Sequence, residues 1–285
     1  MSAQRRRSKA SCIIATACLM ASCAHALTPT KQGIAYAVAN GQTLTLDYYA
    51  GAGVGPHPMA ILVGSETGDA ANSTDCTELL TQSGYHAFVL NRRTVTGNPY
   101  SSTVENVQRA IRFLRFHAFD WNGDNTKMSL IGGPSARYVS LIVGLMNSSG
   151  AMGSDNAVNR ESARVQAVVS VFGSGSTSEG PGGNYHALLD PLIRELGDEA
   201  ALARSSPNYM NPDSPAFLLL YTSGSQAGPL PETSELPKVL QNVGVRCDLL
   251  EAAPGTASGS NQAPEWERRM LDWLNKTLGR QHTRP

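Results

Sequence analysis

Apolar residues along this chain follow two different spacings, which predict strands and helices in alternation. Continuous apolar runs are typical of parallel strands that are buried on both faces. Strands are predicted at 43–49, 59–63, 85–90, 128–131, 165–172, 216–221 and 245–251. The first of these alternates polar and apolar residues, a pattern that is typical of a strand at the edge of a sheet.

Helical spacing of apolar residues is clearest around position 110. It predicts an amphipathic helix of about four turns built on Val104, Val107, Ala110, Ile111 and Leu114. Further helices are predicted at 75–83, 139–146, 231–243 and 264–278. This alternation predicts an α/β fold with a mostly parallel sheet and helices on both faces. The stretches 147–159 and 173–184, rich in Gly, Ser and Asn, are predicted to be surface loops at the carboxyl edge of that sheet.

The composition indicates a globular chain. Hydrophobic residues make up 41% and charged residues 16% of the 285 residues, which suits a packed core. The formal net charge is zero, so we expect no bulk attraction to nucleic acid or to anionic lipid. The sequence has neither a cluster with metal-ligand spacing nor a phosphate or dinucleotide fingerprint, and it therefore predicts no metal and no cofactor.

Residues 1–26 have the three parts of a secretory signal peptide. Four cations precede an apolar run at 13–21, and Ala24-His25-Ala26 has the small-x-small form of a cleavage site. The apolar run is too short to span a bilayer. We therefore expect a secreted or periplasmic protein that begins at Leu27 and forms one domain over 27–285. A lipid-anchored form stays open as an alternative, because residues 20–23 resemble a bacterial lipobox ending at Cys23.

Cleavage before Leu27 leaves two of the five cysteines, Cys76 and Cys247. An oxidising compartment would allow them to pair. They belong to different predicted elements, however, and the sequence does not place them within bonding distance. Two separately buried thiols are the expected state.

Three segments have an order and spacing that point to a known family. They are GQTLTLD at 41–47, AIRFLR at 110–115 and PDSPAFL at 212–218. Together they resemble the α/β-hydrolase superfamily, and most closely secreted esterases of the acetyl-xylan/feruloyl esterase and carboxylesterase type. The resemblance implies an α/β-hydrolase fold and a catalytic triad of serine, acid and histidine.

The resemblance puts the catalytic serine on a strand–turn–helix elbow with the motif G-x-S-x-G. Here the segment reads Gly132-Gly133-Pro134-Ser135-Ala136, so Pro134 occupies the position of the nucleophile. Proline has no hydroxyl, and its ring holds φ at about −65° where the elbow needs a positive φ. A slip of one residue would put Ser135 at the elbow, but Arg137 would then occupy a flank that requires glycine or alanine.

The remaining catalytic positions of the family are altered as well. Ser225 stands at the position of the acid, and Ser258 at that of the histidine base. The oxyanion loop, H-G-G-G in the family, reads Gly64-Ser65-Glu66-Thr67. The carboxylate of Glu66 would oppose the negative charge that develops in acyl transfer.

A replacement base would have to be another histidine. His57, His86 and His117 are predicted to be surface or packing residues, and His282 belongs to the polar tail. His186, in a loop that could cover the pocket, is the one alternative base.

Three hypotheses about function follow from an esterase scaffold with altered catalytic positions. The first is a non-catalytic binding or accessory protein. Its degenerate pocket at Pro134, Ser135, Ser225 and Ser258 would hold a small molecule, a glycan or an acyl ester. The second is an active carboxylic-ester hydrolase that uses the displaced Ser135. The third is an interaction module that binds a protein partner through its surface.

Overall fold

The computed structural model describes residues 27–63, 70–91, 99–133, 136–146, 148–172, 214–222, 236–242, 244–252 and 265–279. The strands are β1 (Lys31–Ala39), β2 (Gln42–Tyr49), β3 (His57–Val63), β4 (His86–Leu90), β5 (Gly123–Gly132), β6 (Ala167–Phe172), β7 (Ala216–Thr222) and β8 (Cys247–Ala252). The helices are α1 (Ala70–Gln82), α2 (Pro99–Phe116), α3 (Arg137–Met146), α4 (Ala157–Arg160), α5 (Leu236–Asn242) and α6 (Glu265–Thr277), and a 3-10 turn covers Ala118–Trp121.

All eight strands belong to one sheet in the order β1-β2-β4-β3-β5-β6-β7-β8. The pairs β1·β2 and β2·β4 are antiparallel. The other five pairs are parallel. The mostly parallel sheet predicted from the apolar runs is confirmed.

The two faces of the sheet are covered by different helices. On one face, Ile111 of α2, Val139 of α3 and Leu240 of α5 belong to a single buried cluster. On the other face, Leu80 of α1 and Met270 of α6 belong to a second cluster. The prediction of helices on both faces is therefore confirmed.

The prediction that 43–49 is an edge strand is wrong. β2 lies between β1 and β4, and β1 is the edge. The sequence did not predict β1, because most of its residues are exposed or half-buried and no buried apolar face marks it. The alternation in β2 reflects one buried face, with Leu44, Leu46 and Tyr48 inside.

The prediction for 147–159 is also wrong in its location. α3 starts beyond the carboxyl end of β5 and carries the chain back to the amino edge of the sheet. The segment that follows α3 stays at the amino edge. At this edge the Arg115 guanidinium donates to the carbonyl of Asn125, near the start of β5, and to the carbonyl of Arg164. The short helix α4 begins within this stretch and ends at Arg160. Residues 173–184 lie outside the described residues.

Cys76 and Cys247 are both buried, and each belongs to a different one of the two core clusters. They are therefore separate thiols, as predicted. Burial, and next the nearby charge of Asp248, raise the pKa of Cys247 to about 12. In the described part of the chain, no helix combines the length and the apolar character needed to cross a membrane.

Candidate active site

The carboxyl ends of β3 and β5 meet near the centre of the sheet, where Val63 pairs with Gly132. One residue further, the Gly133 amide donates to the Val63 carbonyl at 3.1 Å. The segments that follow these two strands therefore start side by side. These are the segments to which the resemblance assigns the oxyanion loop and the elbow.

Strand β5 and helix α3 approach each other closely on either side of the elbow segment. A Cβ on Gly132 would lie 2.4 Å from Ser140 Oγ and 2.7 Å from the Ala136 carbonyl oxygen. Ala136 itself is fully buried. Both positions therefore require small residues, which is the requirement that the elbow motif places on its flanks.

Two hydroxyls fix the start of α3. Ser140 Oγ and Ser170 Oγ both donate to the Arg137 carbonyl, each at 2.8 Å. Ser170 lies on β6, so these bonds tie the first turn of the helix to the neighbouring strand. Neither serine was predicted from the sequence, where the one signal of each is a polar residue within an otherwise apolar run.

The predicted pocket residues lie outside the described residues. They are Gly64, Ser65, Glu66, Pro134, Ser135, His186, Ser225 and Ser258. The structure does describe the strand ends that precede all of them except His186. β7 ends at Thr222, three positions before Ser225, and β8 ends at Ala252, six positions before Ser258.

The described histidines lie at the opposite edge of the sheet. His57 and His86 are the first residues of β3 and β4, and His117 directly follows α2, whose last turn lies at the amino edge. His117 Nδ1 contacts Asp120 Oδ2 at 2.8 Å. None of these three side chains is placed to serve a nucleophile at the carboxyl ends of the strands.

His57 and His86 form a buried pair, with ring centroids 4.2 Å apart. His86 Nδ1 accepts from the Gly51 amide at 2.9 Å, and His86 Nε2 donates to the Trp121 carbonyl at 2.8 Å. His57 Nδ1 donates to the Gly84 carbonyl at 2.9 Å. Burial, and next the charge of His57, lower the pKa of His86 to about 4. Both rings are packing residues, as the sequence predicted.

Among the described residues, no group of three or more His, Cys, Asp or Glu side chains could hold a metal ion.

Comparison with known proteins identifies a family model and several similar structures. The BD-FAE family model matches residues 56–240, well over half of the chain. No curated protein matches the chain.

Among solved structures, the chain is similar to an acetyl ester-xyloside bifunctional hydrolase from Caldicellulosiruptor lactoaceticus, at 19% identity and a TM-score of 0.61, over 84% of this chain and 90% of that one. It is similar to a truncated carbohydrate esterase from gut microbiota, at 20% identity and a TM-score of 0.63, over 90% and 98%. It is also similar to the propionate-bound esterase of the Planctomycetes species Thermogutta terrifontis, at 18% identity and a TM-score of 0.60, over 88% and 95%. The shared architecture is the α/β-hydrolase fold.

Proposed function

The chain belongs to the BD-FAE family, and from that membership we propose that it is an exported, esterase-like protein that binds its ligand without hydrolysing it. The ligand class that the family suggests is a glycan or an acyl ester. Two of the similar structures are described as a carbohydrate esterase and an acetyl ester-xyloside hydrolase. The proposal depends on which residues remain for catalysis.

The observation that carries the proposal is the shortness of the gap between β5 and α3. Gly133 is still bonded to β3, and the Ala136 carbonyl already accepts the Ser140 amide at 3.1 Å in the first turn of the helix. Gly133 has no positive φ, and neither Gly133 nor Ala136 has a nucleophilic side chain. This favours Pro134 or Ser135 as the elbow residue, and Pro134 offers no nucleophile.

A serine at position 135 would still need a base. The histidines of the described residues lie at the amino edge of the sheet, so the base would have to come from elsewhere in the chain. The family's own base position holds Ser258, which cannot accept a proton from a nucleophile at neutral pH. Loss of the base alone lowers acyl-transfer rates by several powers of ten, which favours binding over turnover.

The acid and the oxyanion loop support the same proposal. Ser225 replaces the carboxylate that would orient a base. Glu66 follows the end of β3 by three positions, and the Val63 carbonyl contacts the Gly133 amide next to the elbow segment. A carboxylate brought near a developing oxyanion raises the energy of the transition state.

A second function, ester hydrolysis by Ser135, is favoured by one observation. Ser135 lies between Gly133 and Ala136 in the elbow segment, and it carries a hydroxyl. An active enzyme of this kind would need His186 or another unassigned group as its base.

The test treats the purified protein with a fluorophosphonate probe and with short-chain aryl esters. The variants are Ser135→Ala and, as a matched serine at the opposite edge, Ser149→Ala. We expect no labelling and no turnover in any of them. Labelling that disappears in Ser135→Ala and persists in Ser149→Ala would establish the hydrolase instead.

Binding is measured separately, by calorimetry with an acetylated xyloside. We expect binding without release of acetate, weakened by Ser135→Trp because the larger side chain fills the pocket. Absence of both binding and turnover would contradict the proposal and favour the interaction module.

Export is the other part of the proposal, and it is supported by the basic, apolar and small-x-small order of residues 1–26. Mass spectrometry of the protein produced in a bacterial host locates the mature terminus. We expect it at Leu27, followed by a single domain to Pro285. A diacylated Cys23 would instead identify a lipid-anchored protein, and an intact Met1 would contradict export.

A further inference from the structure

A polar cavity of about 510 Å³ lies at the amino edge of the sheet, away from the elbow. One wall is α2, which contributes Arg109 and Arg112, and the other is the segment after α3, which contributes Ser149, Ser154 and Asn159. Its volume is in the range of small-molecule sites, roughly 300–1,000 Å³. None of the described lining residues is aromatic, so recognition there would depend on charge and hydrogen bonds.

The segment that forms the outer wall is held in place by Arg112. Its Nη2 donates to Ser148 Oγ at 3.0 Å and to the Ser149 carbonyl at 3.4 Å, and its Nε donates to the Glu161 carbonyl at 3.2 Å. The segment also folds against itself, since the Ala151 amide donates to the Asn159 carbonyl at 2.9 Å. These bonds preform the wall without a ligand.

Close packing leaves the same segment little freedom to collapse into the cavity. A Cβ on Gly150 would lie 1.8 Å from the Arg160 carbonyl oxygen, so only glycine fits there. The Ala163 amide donates to the Ser148 carbonyl at 3.0 Å and closes the loop. The cavity is therefore a fixed feature of this edge.

Positive charge exceeds negative charge in the lining. Arg109 and Arg112 lie one helical turn apart, and burial, then the charge of Arg109, lower the pKa of Arg112. Glu105 is the one carboxylate among the described lining residues. It pairs with Arg109 at 3.2 Å, but its side chain is 60% exposed, so solvent screens the pair.

The Arg109 guanidinium has more hydrogen-bond donors than its two protein partners use. Its Nη1 and Nη2 atoms donate to Asn106 Oδ1 at 2.9 Å and to Glu105 Oε2 at 3.2 Å. A guanidinium has five N–H donors in a planar fork that matches an oxyanion. Three donors of Arg109 therefore remain for a ligand, while Arg112 is largely occupied by the protein.

We propose that this cavity binds a small hydroxylated oxyanion. Arg109 contacts the anionic group, and Ser149, Ser154 and Asn159 form hydrogen bonds with the hydroxyls. The anion relieves the repulsion between the two guanidinium groups. A carboxylate and a phosphate share this chemistry, and the site is independent of the elbow and of whether the protein hydrolyses esters.

The experiment is calorimetric titration of the purified protein with D-glucuronate, D-glucose 6-phosphate and neutral D-glucose at low ionic strength. We expect at least one anion to bind and glucose not to bind at concentrations up to the order of 10 mM. Binding of glucuronate alone identifies a carboxylate site, and binding of the phosphate alone identifies a phosphate site. Binding of neither anion, or of glucose equally well, overturns the proposal.

Three variants locate the binding. Arg109→Gln removes the charge and should weaken binding by about tenfold or more. Ala151→Phe fills the cavity from an exposed position and should abolish binding. Arg268→Gln removes an exposed arginine from α6 on the other face of the sheet and should bind as the wild type does. Equal affinity in Arg109→Gln and Arg268→Gln, with folding verified by circular dichroism, overturns the proposal.

Discussion

Protonation of His86 should destabilise the fold as the pH falls. In the folded protein, burial and the nearby His57 lower the pKa of His86 to about 4, against 6.5 in the unfolded chain. The geometry agrees, because Nδ1 already accepts from the Gly51 amide and an added proton would point at that donor. The neutral ring donates from Nε2 to the Trp121 carbonyl. Nδ1 also contacts the Tyr48 hydroxyl at 3.3 Å, but the Gly51 amide would have to move before that nitrogen could carry a proton.

The direction of the pH dependence of stability follows from the number of protons that the folded and the unfolded protein bind. Between pH 6.5 and pH 4 the unfolded chain carries a proton on His86 that the folded protein does not, so stability rises with pH in this window. The contribution is fully present above pH 6.5 and is lost as the pH falls towards 4. At about 1.4 kcal/mol for each tenfold change in proton affinity, the total loss is about 3 kcal/mol, of which about 2 kcal/mol is lost by pH 5. This is a large share of a folding free energy of roughly 5–15 kcal/mol.

The assay is urea unfolding at pH 7.5, 6 and 5, followed by tryptophan fluorescence. The variant is His86→Gln, whose side chain can accept from the Gly51 amide and donate to the Trp121 carbonyl but does not titrate. The matched control is His117→Gln, at a partly exposed histidine. We expect His86→Gln to lose about 2 kcal/mol less than the wild type between pH 7.5 and 5, and His117→Gln to follow the wild type.

An independent readout is the NMR titration of the His86 ring. We expect its signals to stay those of the neutral ring down to about pH 5. An equal pH dependence of stability in the wild type and in His86→Gln, or a ring that titrates near pH 6.5, would refute the reasoning.

Three further substitutions test contacts that position the sheet, and urea unfolding measures each of them. Tyr85→Phe removes the buried donor to Asn275 Oδ1 at 2.9 Å and should cost about 1–2 kcal/mol; an unchanged stability would contradict a buried bond. Gly132→Ala places a Cβ 2.4 Å from Ser140 Oγ and 2.7 Å from the Ala136 carbonyl oxygen and should cost about 1–3 kcal/mol; an unchanged stability would contradict the close approach of β5 and α3. Arg115→Met leaves three backbone carbonyls without their guanidinium donor and should cost about 3 kcal/mol, of which Arg115→Lys restores only part; full rescue by lysine would show that charge alone matters.

The buried strands could be predicted from the sequence because burial on both faces leaves a continuous apolar run. The runs at 59–63 and 216–221 coincide closely with β3 and β7. The prediction failed for β1, which has no fully buried residue and meets the core through the half-buried Ile34 and Tyr36. It also shortened β5, whose first half is polar and partly exposed, to 128–131.

Helix ends and the path of the chain were less predictable. α2 begins at Pro99, whereas apolar spacing starts only at Val104, because the sequence of its first five residues, PYSST, has no helical apolar pattern. The edge at which 147–159 lies depends on α3 running back along β5, which is a property of the fold and not of the loop's composition. The polar cavity between α2 and this segment could not be predicted from the sequence, because its position also depends on the path of α3.

The contacts on either side of the elbow segment would allow a hydrolase fold to persist with or without the family's chemistry. Gly132 and Ala136 allow β5 and α3 to approach closely, and the hydroxyls of Ser140 and Ser170 bind the Arg137 carbonyl at the start of α3; none of these four residues stands at a catalytic position of the family. The resemblance assigns the catalytic positions to segments beyond the strand ends, whereas the described core clusters are built mainly from the strands and helices themselves. Loss of a triad residue lowers the rate of acyl transfer by several powers of ten, whereas these core contacts do not depend on that chemistry. An intact sheet is therefore compatible with either function of the pocket.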